Sequence, residues 1–339
     1  MSVVIESGVS LRALNTFGVD ARAAFFSSVR SVDALPAVLG DPRVRDVPRL
    51  VLGGGSNVLF TRDFDGLVVK IDIPGLERLG DDGARALVQV GAGEPWHGTV
   101  ARLLDDGLPG LENLALIPGS VGAAPIQNIG AYGLELAERL QSVEVFDPVT
   151  GAVEVMDLAA CRFGYRDSVF KQRPGAHIVV SVTLALPRQW VPVVGYAEVT
   201  NELKAREATT PSARDVFDAV VAIRTRKLPD PAKVGNAGSF FKNPVVSRAQ
   251  RQELIDRFPS LVSYDIGGGR YKLAAGWLIE ACGLKGAVRG RAGVYPRQAL
   301  VLVNLGGASG AEILALAREV QDAVRARFGV ELEPEPSVI

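Results

Sequence analysis

Apolar runs rich in β-branched residues succeed one another along this chain without the regular intervening helices that a doubly wound parallel sheet requires, which argues for the α+β class. Strands are predicted over residues 49–52, 67–71, 87–90, 143–146, 153–156, 178–186 and 300–305, each bounded by Gly, Pro or Asp. Asp147-Pro148-Val149-Thr150-Gly151 reads as a hairpin turn between two of them. Helical periodicity is clear in three places. Over 211–226, Val216, Val220 and Ile223 make one stripe while Arg214, Asp218 and Arg224 can face water; over 247–258, Ser247 and Gln250 have capping-box spacing; over 311–328, Ile313, Leu316, Val320 and Val324 form a face ended by Gly329. The Lys227-Leu228-Pro229-Asp230-Pro231 linker and Gly329 are the predicted boundaries.

With 339 residues, 47% hydrophobic and 22% charged, the chain can bury two or three cores without disulfides. The net charge of −1 leaves no electrostatic footprint for nucleic acid or an anionic membrane, so an anionic ligand needs a local site. The longest strongly apolar run, residues 178–186, is far short of the roughly 20 residues of a membrane helix. No secretory pattern opens the sequence, and a cytoplasmic protein is expected. Cys161 and Cys282 stand far apart with only two histidines in the chain, which speaks for reduced thiols and against a zinc site.

Two small-residue stretches suggest a ligand. In Gly53-Gly54-Gly55-Ser56-Asn57, successive amides can converge on one point because no Cβ blocks the approach, which suits a pyrophosphate. The spacing is not that of a Rossmann fingerprint, and a flexible turn is the other reading. The second stretch, residues 116–133, combines Gly119, Gly122, Gly130 and Gly133 with Ser120, Ala123, Ala124, Ala131, Gln127 and Asn128, and carries almost no charge. That suits a flat, partly apolar and partly anionic cofactor such as a flavin dinucleotide; a tight core crossing is the alternative.

Ser239 lies in Asn236-Ala237-Gly238-Ser239-Phe240-Phe241-Lys242-Asn243-Pro244, remote in sequence from both His97 and His177. A nucleophilic serine needs a base within reach, usually a histidine, so this hydroxyl reads better as a proton donor.

Together these segments resemble the UDP-N-acetylenolpyruvoylglucosamine reductase family. The matching stretches are Asn15-Thr16-Phe17-Gly18, the Gly53–Asn57 and 117–133 loops, Cys161-Arg162-Phe163-Gly164-Tyr165-Arg166-Asp167-Ser168-Val169-Phe170, the Lys227–Pro231 linker, the serine segment, Leu273-Ala274-Ala275-Gly276-Trp277-Leu278-Ile279-Glu280, and Leu332-Glu333-Pro334-Glu335, in the family's order over nearly the whole chain. The resemblance implies an α+β fold with a two-part FAD-binding region of the vanillyl-alcohol-oxidase (PCMH) type and a C-terminal α/β substrate domain. The expected division is 1–66 with 330–339, then 67–226, then 227–329.

It further implies non-covalent FAD, with NADPH as co-substrate, held by Gly53, Gly54, Gly55, Ser56, Asn57, Pro118, Gly119, Ser120, Gly122, Ala123, Gln127, Asn128, Gly130, Ala131 and Tyr132. The family reaction passes hydride from NADPH through flavin to an enolpyruvyl ether. Arg166 is then expected to bind the substrate carboxylate, Glu335 to hydrogen-bond it, at least partly protonated, and Ser239 to protonate the carbanion. Tyr165, Lys227, Asn243 and Gln298 are expected at the substrate or nicotinamide nucleotide, and Tyr196 as the covering tyrosine of the subtype with an extra loop. After Glu335 the family continues with valine and a short strand; here Pro336-Ser337-Val338-Ile339 follows, and proline removes a ladder donor, which weakens the expected anchoring of Glu335.

A monomer is expected from the family. Two readings compete with the reductase: an oxidase of the same fold, and a non-catalytic nucleotide-sugar binding protein.

Overall fold

The structure, a computed structural model, describes residues 4–339. The described chain groups into two compact units, one of residues 4–9, Ala23–Gly55 and Phe64–Arg226, the other of Ser10–Arg22, Ser56–Asp63 and Lys227–Ile339.

The first unit holds two large sheets, beside a two-stranded one of Gly130–Ala131 and Leu134–Glu135. In one large sheet, the order is Glu6–Ser10, Arg22–Val29, Phe64–Ile71, Arg49–Leu52. Phe64–Ile71 runs parallel to both neighbours, and its Leu67, Val68 and Val69 are all fully buried, as a strand covered on both faces requires. The other large sheet is antiparallel, in the order Val153–Asp157, Leu140–Phe146, Ile178–Pro187, Arg85–Gly91, Leu76–Asp81. Ile178–Pro187 lies at its centre and is buried along nearly its whole length. The hairpin at 147–151 forms as expected: the Asp147 carboxylate accepts from Val149 and Thr150, and Gly151 takes φ +74°.

The expected helices form over Ala213–Lys227, Arg248–Arg257 and Gly310–Phe328. Capping boxes open the last two, Ser247 with Gln250 and Ser309 with Glu312, and Gly329 closes the third at φ +66°. One expectation fails. Arg224 does not face water; its Nε donates to the Leu116 carbonyl at 3.3 Å, and its guanidinium hydrogen-bonds Tyr132. Four residues after Val220 and seven after Phe217, both buried, it belongs to the inward stripe by helical geometry.

The second unit contains an antiparallel sheet in the order Gly235–Ser239, Val301–Asn304, Ala292–Val294, Val288–Arg289, and a smaller one of Val245–Ser247, Arg270–Leu273 and Ser263–Asp265. Ser10–Arg22 belongs here because the Asn15-Thr16-Phe17-Gly18 motif buttresses the serine strand. Asn236 N donates to Thr16 O at 3.0 Å, and Asn304 Nδ2 donates to Phe17 O at 2.9 Å. A Cβ on Gly235 would lie 2.1 Å from Phe17 O, so only glycine permits this approach. Ser56–Asp63 belongs here because Val58–Leu59 pairs in parallel with Ser337–Val338.

Candidate active site

In the first unit the two glycine loops meet backbone to backbone. A Cβ on Gly54 would lie 2.8 Å from Gly119 Cα, and one on Gly53 would lie 2.4 Å from Ser120 Oγ. Gly122 N donates to Ala92 O and Val121 N to Glu94 O, each at 2.9 Å, which straps the second loop to the end of the Arg85–Gly91 strand. Gly55 and Gly119 take φ +64° and +118°, a region closed to most side chains. Ser120 is buried, and its Oγ has no hydrogen-bond partner among the described residues.

Other predicted residues of this unit gather around Arg166. Its Nη2 donates to Gly130 O at 2.6 Å, and its guanidinium lies 5.4 Å from the Tyr165 ring centre. Tyr132 packs edge-on against Tyr196, centroids 5.5 Å apart, and Tyr196 opens the Ala197–Ala205 helix. Arg224 joins them: burial first, then the charge of Arg166, pushes its guanidinium below the ordinary range, against the pull of Tyr132. Gln127 accepts from Lys171 Nζ at 3.5 Å. Asn128 serves the loop itself, donating to the Glu135 carboxylate at 2.8 Å and Gly164 O at 3.2 Å, and accepting from Ala137 N at 3.0 Å.

In the second unit Ser239 ends its strand after an irregularity in the pairing with Val301–Asn304. Asn236 braces that irregularity, donating to Pro229 O at 3.1 Å and Val234 O at 2.8 Å while accepting from Gly238 N at 2.9 Å. Phe240 and Phe241, which follow the serine, are fully buried and in edge contact with each other. The tail pairs with this segment: Glu335 N donates to Phe240 O at 2.8 Å and Lys242 N to Glu333 O at 2.9 Å. Lys242 Nζ also ion-pairs with Glu333. Ser239 and Glu335 thus share one stretch of structure, and this unit contains neither histidine of the chain.

The expected weakness at Pro336 is absent. Glu335 N and Ser337 N are the donors in use, the latter to Asn57 O at 3.0 Å, and in extended chain the intervening amide points elsewhere, so proline there removes no needed donor. Ile339 N to Leu59 O at 2.9 Å, Thr61 N to Ile339 O at 2.8 Å and Asn57 Nδ2 to Glu335 O at 3.2 Å complete the anchor. Asn243 and Gln298 converge on the start of the Ala275–Ala281 helix. Asn243 Oδ1 accepts from Ala275 N at 2.9 Å, and a Cβ on Gly276 would lie 3.1 Å from Gln298 Oε1. Lys227 ends the Ala213–Lys227 helix, where a cation suits the dipole.

Residues 23–157 match the family model described as FAD binding domain, and residues 230–339 match that described as UDP-N-acetylenolpyruvoylglucosamine reductase, C-terminal domain. The chain is 57% identical over 330 residues, 96% of each sequence, to the UDP-N-acetylenolpyruvoylglucosamine reductase of Ralstonia nicotianae. It is 57% identical over 331 residues to that of Burkholderia multivorans, covering 96% of this chain and 94% of the relative. The chain belongs to the UDP-N-acetylenolpyruvoylglucosamine reductase family. Its fold is similar to the crystal structure of the family's Thermus caldophilus member, with TM-score 0.69 and 27% identity, covering 100% of this chain and 99% of the other.

As a member of this reductase family the protein is a flavin-dependent oxidoreductase, with FAD as cofactor and NADPH as reductant. The glycine loops fit that cofactor. They are charge-poor and packed so closely that a Cβ on Gly54 would meet Gly119 Cα, and they lie beside the buried Ser120 hydroxyl, which has no partner among the described residues. Among the described residues no helix is long and apolar enough to cross a membrane. Two residues of this neighbourhood escaped the sequence reading, Arg224 and His97. Arg224 keeps helical register with Phe217 and Val220, but a guanidinium there reads as solvent-facing; His97, on a helix with no capping signal, left no signal at all.

Proposed function

We propose that the protein reduces UDP-N-acetylenolpyruvoylglucosamine to UDP-N-acetylmuramate, in the synthesis of peptidoglycan precursors, as a cytoplasmic monomer. When FAD is bound, the chemistry supplied is acceptance of hydride from NADPH and its delivery to the terminal enolpyruvyl carbon.

That delivery leaves an electron pair on the adjacent carbon, delocalised into the carboxylate. Arg166 presents a fixed, permanently charged fork whose attraction for the carboxylate grows as the charge develops. Glu335 hydrogen-bonds the same carboxylate. Ser239 gives its hydroxyl proton to the carbon and is reprotonated from solvent, at the end of a strand held in place by the fully buried Phe240 and Phe241 that follow it. Tyr165, Tyr196, Lys227, Asn243 and Gln298 bind the nucleotide sugar or the nicotinamide nucleotide, with Tyr196 as the covering residue of the extra-loop subtype. Gly53 to Asn57, Pro118 to Ala123, Gln127, Asn128 and Gly130 to Tyr132 hold FAD. In this reading residues 1–66 with 330–339 and 67–226 form the two FAD-binding subdomains, which also carry Arg166, Tyr165, Tyr196 and Glu335, and 227–329 form the substrate-binding domain.

The observation that carries the reading is the pairing of Glu335 with Phe240, next to Ser239, in a chain whose family membership spans its length. The test is anaerobic: NADPH consumption must depend on the enolpyruvyl sugar, with one UDP-N-acetylmuramate formed per NADPH. Consumption that instead follows oxygen would reject it.

A further inference from the structure

The first turn of the Trp96–Asp105 helix grips the segment leading into the second glycine loop at three places. Trp96 Nε1 donates to Leu114 O at 2.9 Å, Trp96 N donates to Gly119 O at 3.0 Å, and between them Leu116 N donates to His97 Nδ1 at 3.0 Å. Leu116 takes φ +58°, a left-handed conformation that persists in a bulky residue only when its surroundings over-determine it. Its carbonyl is held too, by Arg224 Nε at 3.3 Å. Both polar backbone groups of the strained residue are therefore taken by side chains, and the next residues are Ile117, Pro118, Gly119 and Ser120.

The hydrogen bond fixes the chemical state of His97. A ring nitrogen that accepts from a backbone amide carries no proton, so the neutral ring holds its proton on Nε2. The ring lies flat on Phe217, centroids 5.6 Å apart and planes 11° from parallel. No step of the proposed reaction uses it.

We infer that His97 is a positioning residue for the cofactor: by accepting the Leu116 amide it locks the left-handed turn and so sets how Pro118 to Ala123 approach FAD. The inference rests on the reading of that stretch as the flavin loop. Removing the acceptor leaves a part-buried amide unsatisfied in a turn where strain is already stored, and the loop relaxes. Asparagine can place Oδ1 near the position of Nδ1 and should stand in for the ring.

The test compares wild type, His97→Ala and His97→Asn by FAD release from the diluted holoenzyme, read as recovered flavin fluorescence, and by amide hydrogen exchange at Leu116. His97→Ala should hold FAD about tenfold more weakly, the consequence of one unsatisfied part-buried donor, and should speed exchange at Leu116; His97→Asn should restore most of both. Wild-type FAD affinity in His97→Ala, or no rescue by His97→Asn, overturns the inference. Should His97→Ala fail to fold, the wild-type exchange decides: a Leu116 amide that exchanges like an exposed one also overturns it. Gly54→Ala separates the two layers. If it weakens FAD while His97→Ala does not, the role of His97 is wrong; if neither weakens FAD, the flavin-loop reading has failed.

Discussion

Glu335 donates its amide to the carbonyl of Phe240 at 2.8 Å, so the tail glutamate is tied to the residue that follows Ser239. Some 280 positions of sequence separate the tail from Asn57 and Thr61, which hold it from the other side at |i−j| = 278. The reaction proposed above needs a proton donor and a carboxylate-binding group at one substrate, and this strand pairing supplies a rigid support for two of its three groups.

Ser239→Ala should leave anaerobic reduction of the flavin by NADPH at the wild-type rate. Reoxidation by the enolpyruvyl sugar should slow by roughly 10²- to 10⁴-fold, the usual worth of a positioned proton donor. Double-mixing stopped flow separates the two half-reactions. Equal slowing of both would remove Ser239 from the proton-transfer step.

Deleting Ser337 to Ile339 removes the bonds from Ser337 to Asn57, from Ile339 to Leu59 and from Thr61 to Ile339. Glu335 then keeps its own bonds to Phe240 and Asn57 but loses the anchor of the residues that follow it. Turnover should fall by about 10- to 100-fold, as expected when a catalytic group is displaced on the ångström scale, while bound FAD is retained. Steady-state rates together with the flavin content of the purified variant check both halves.

Gly54→Ala places a methyl group 2.8 Å from Gly119 Cα, backbone that cannot swing aside. The expected penalty is about 1–3 kcal/mol in overpacking, seen as weaker FAD binding. Gly195→Ala, at a glycine with open space around it, is the control and should bind FAD normally.

His97 is held below its ordinary value of 6.5, first by burial and then by the Arg224 cation. Above 6.5 the ring is neutral in folded and unfolded chains alike and its acceptor bond is intact. As pH falls below 6.5 the unfolded chain takes up the proton first, so stability drops until pH has passed the folded value. Urea midpoints across this window should fall with pH in wild type and change less in His97→Asn.

Much of the architecture was legible. Long apolar strands such as Ile178–Pro187 and Phe64–Ile71 announce themselves by β-branched content, and Ser247 and Gly329 mark helix ends with specific capping chemistry. The Trp96–Asp105 helix was not legible, because Pro95 offers no capping side chain and Gly98 interrupts the pattern. The candidate residues could be named one by one, but their grouping could not. The tail's pairing with Phe240 and Asn57 depends on contacts between segments far apart in the sequence, which no local pattern encodes. Arg224 was misplaced for a different reason: a guanidinium within a helical stripe reads as solvent-facing until a strained carbonyl such as that of Leu116 and a phenol such as Tyr132 are found to satisfy it.

The most direct test of the account is the fate of the reduced flavin. The holoenzyme is bleached anaerobically with one equivalent of NADPH, then mixed with the enolpyruvyl sugar or with air-saturated buffer while flavin absorbance is followed. The account predicts prompt return of colour with the sugar and slow return with oxygen; fast reoxidation by oxygen and none by the sugar would contradict it.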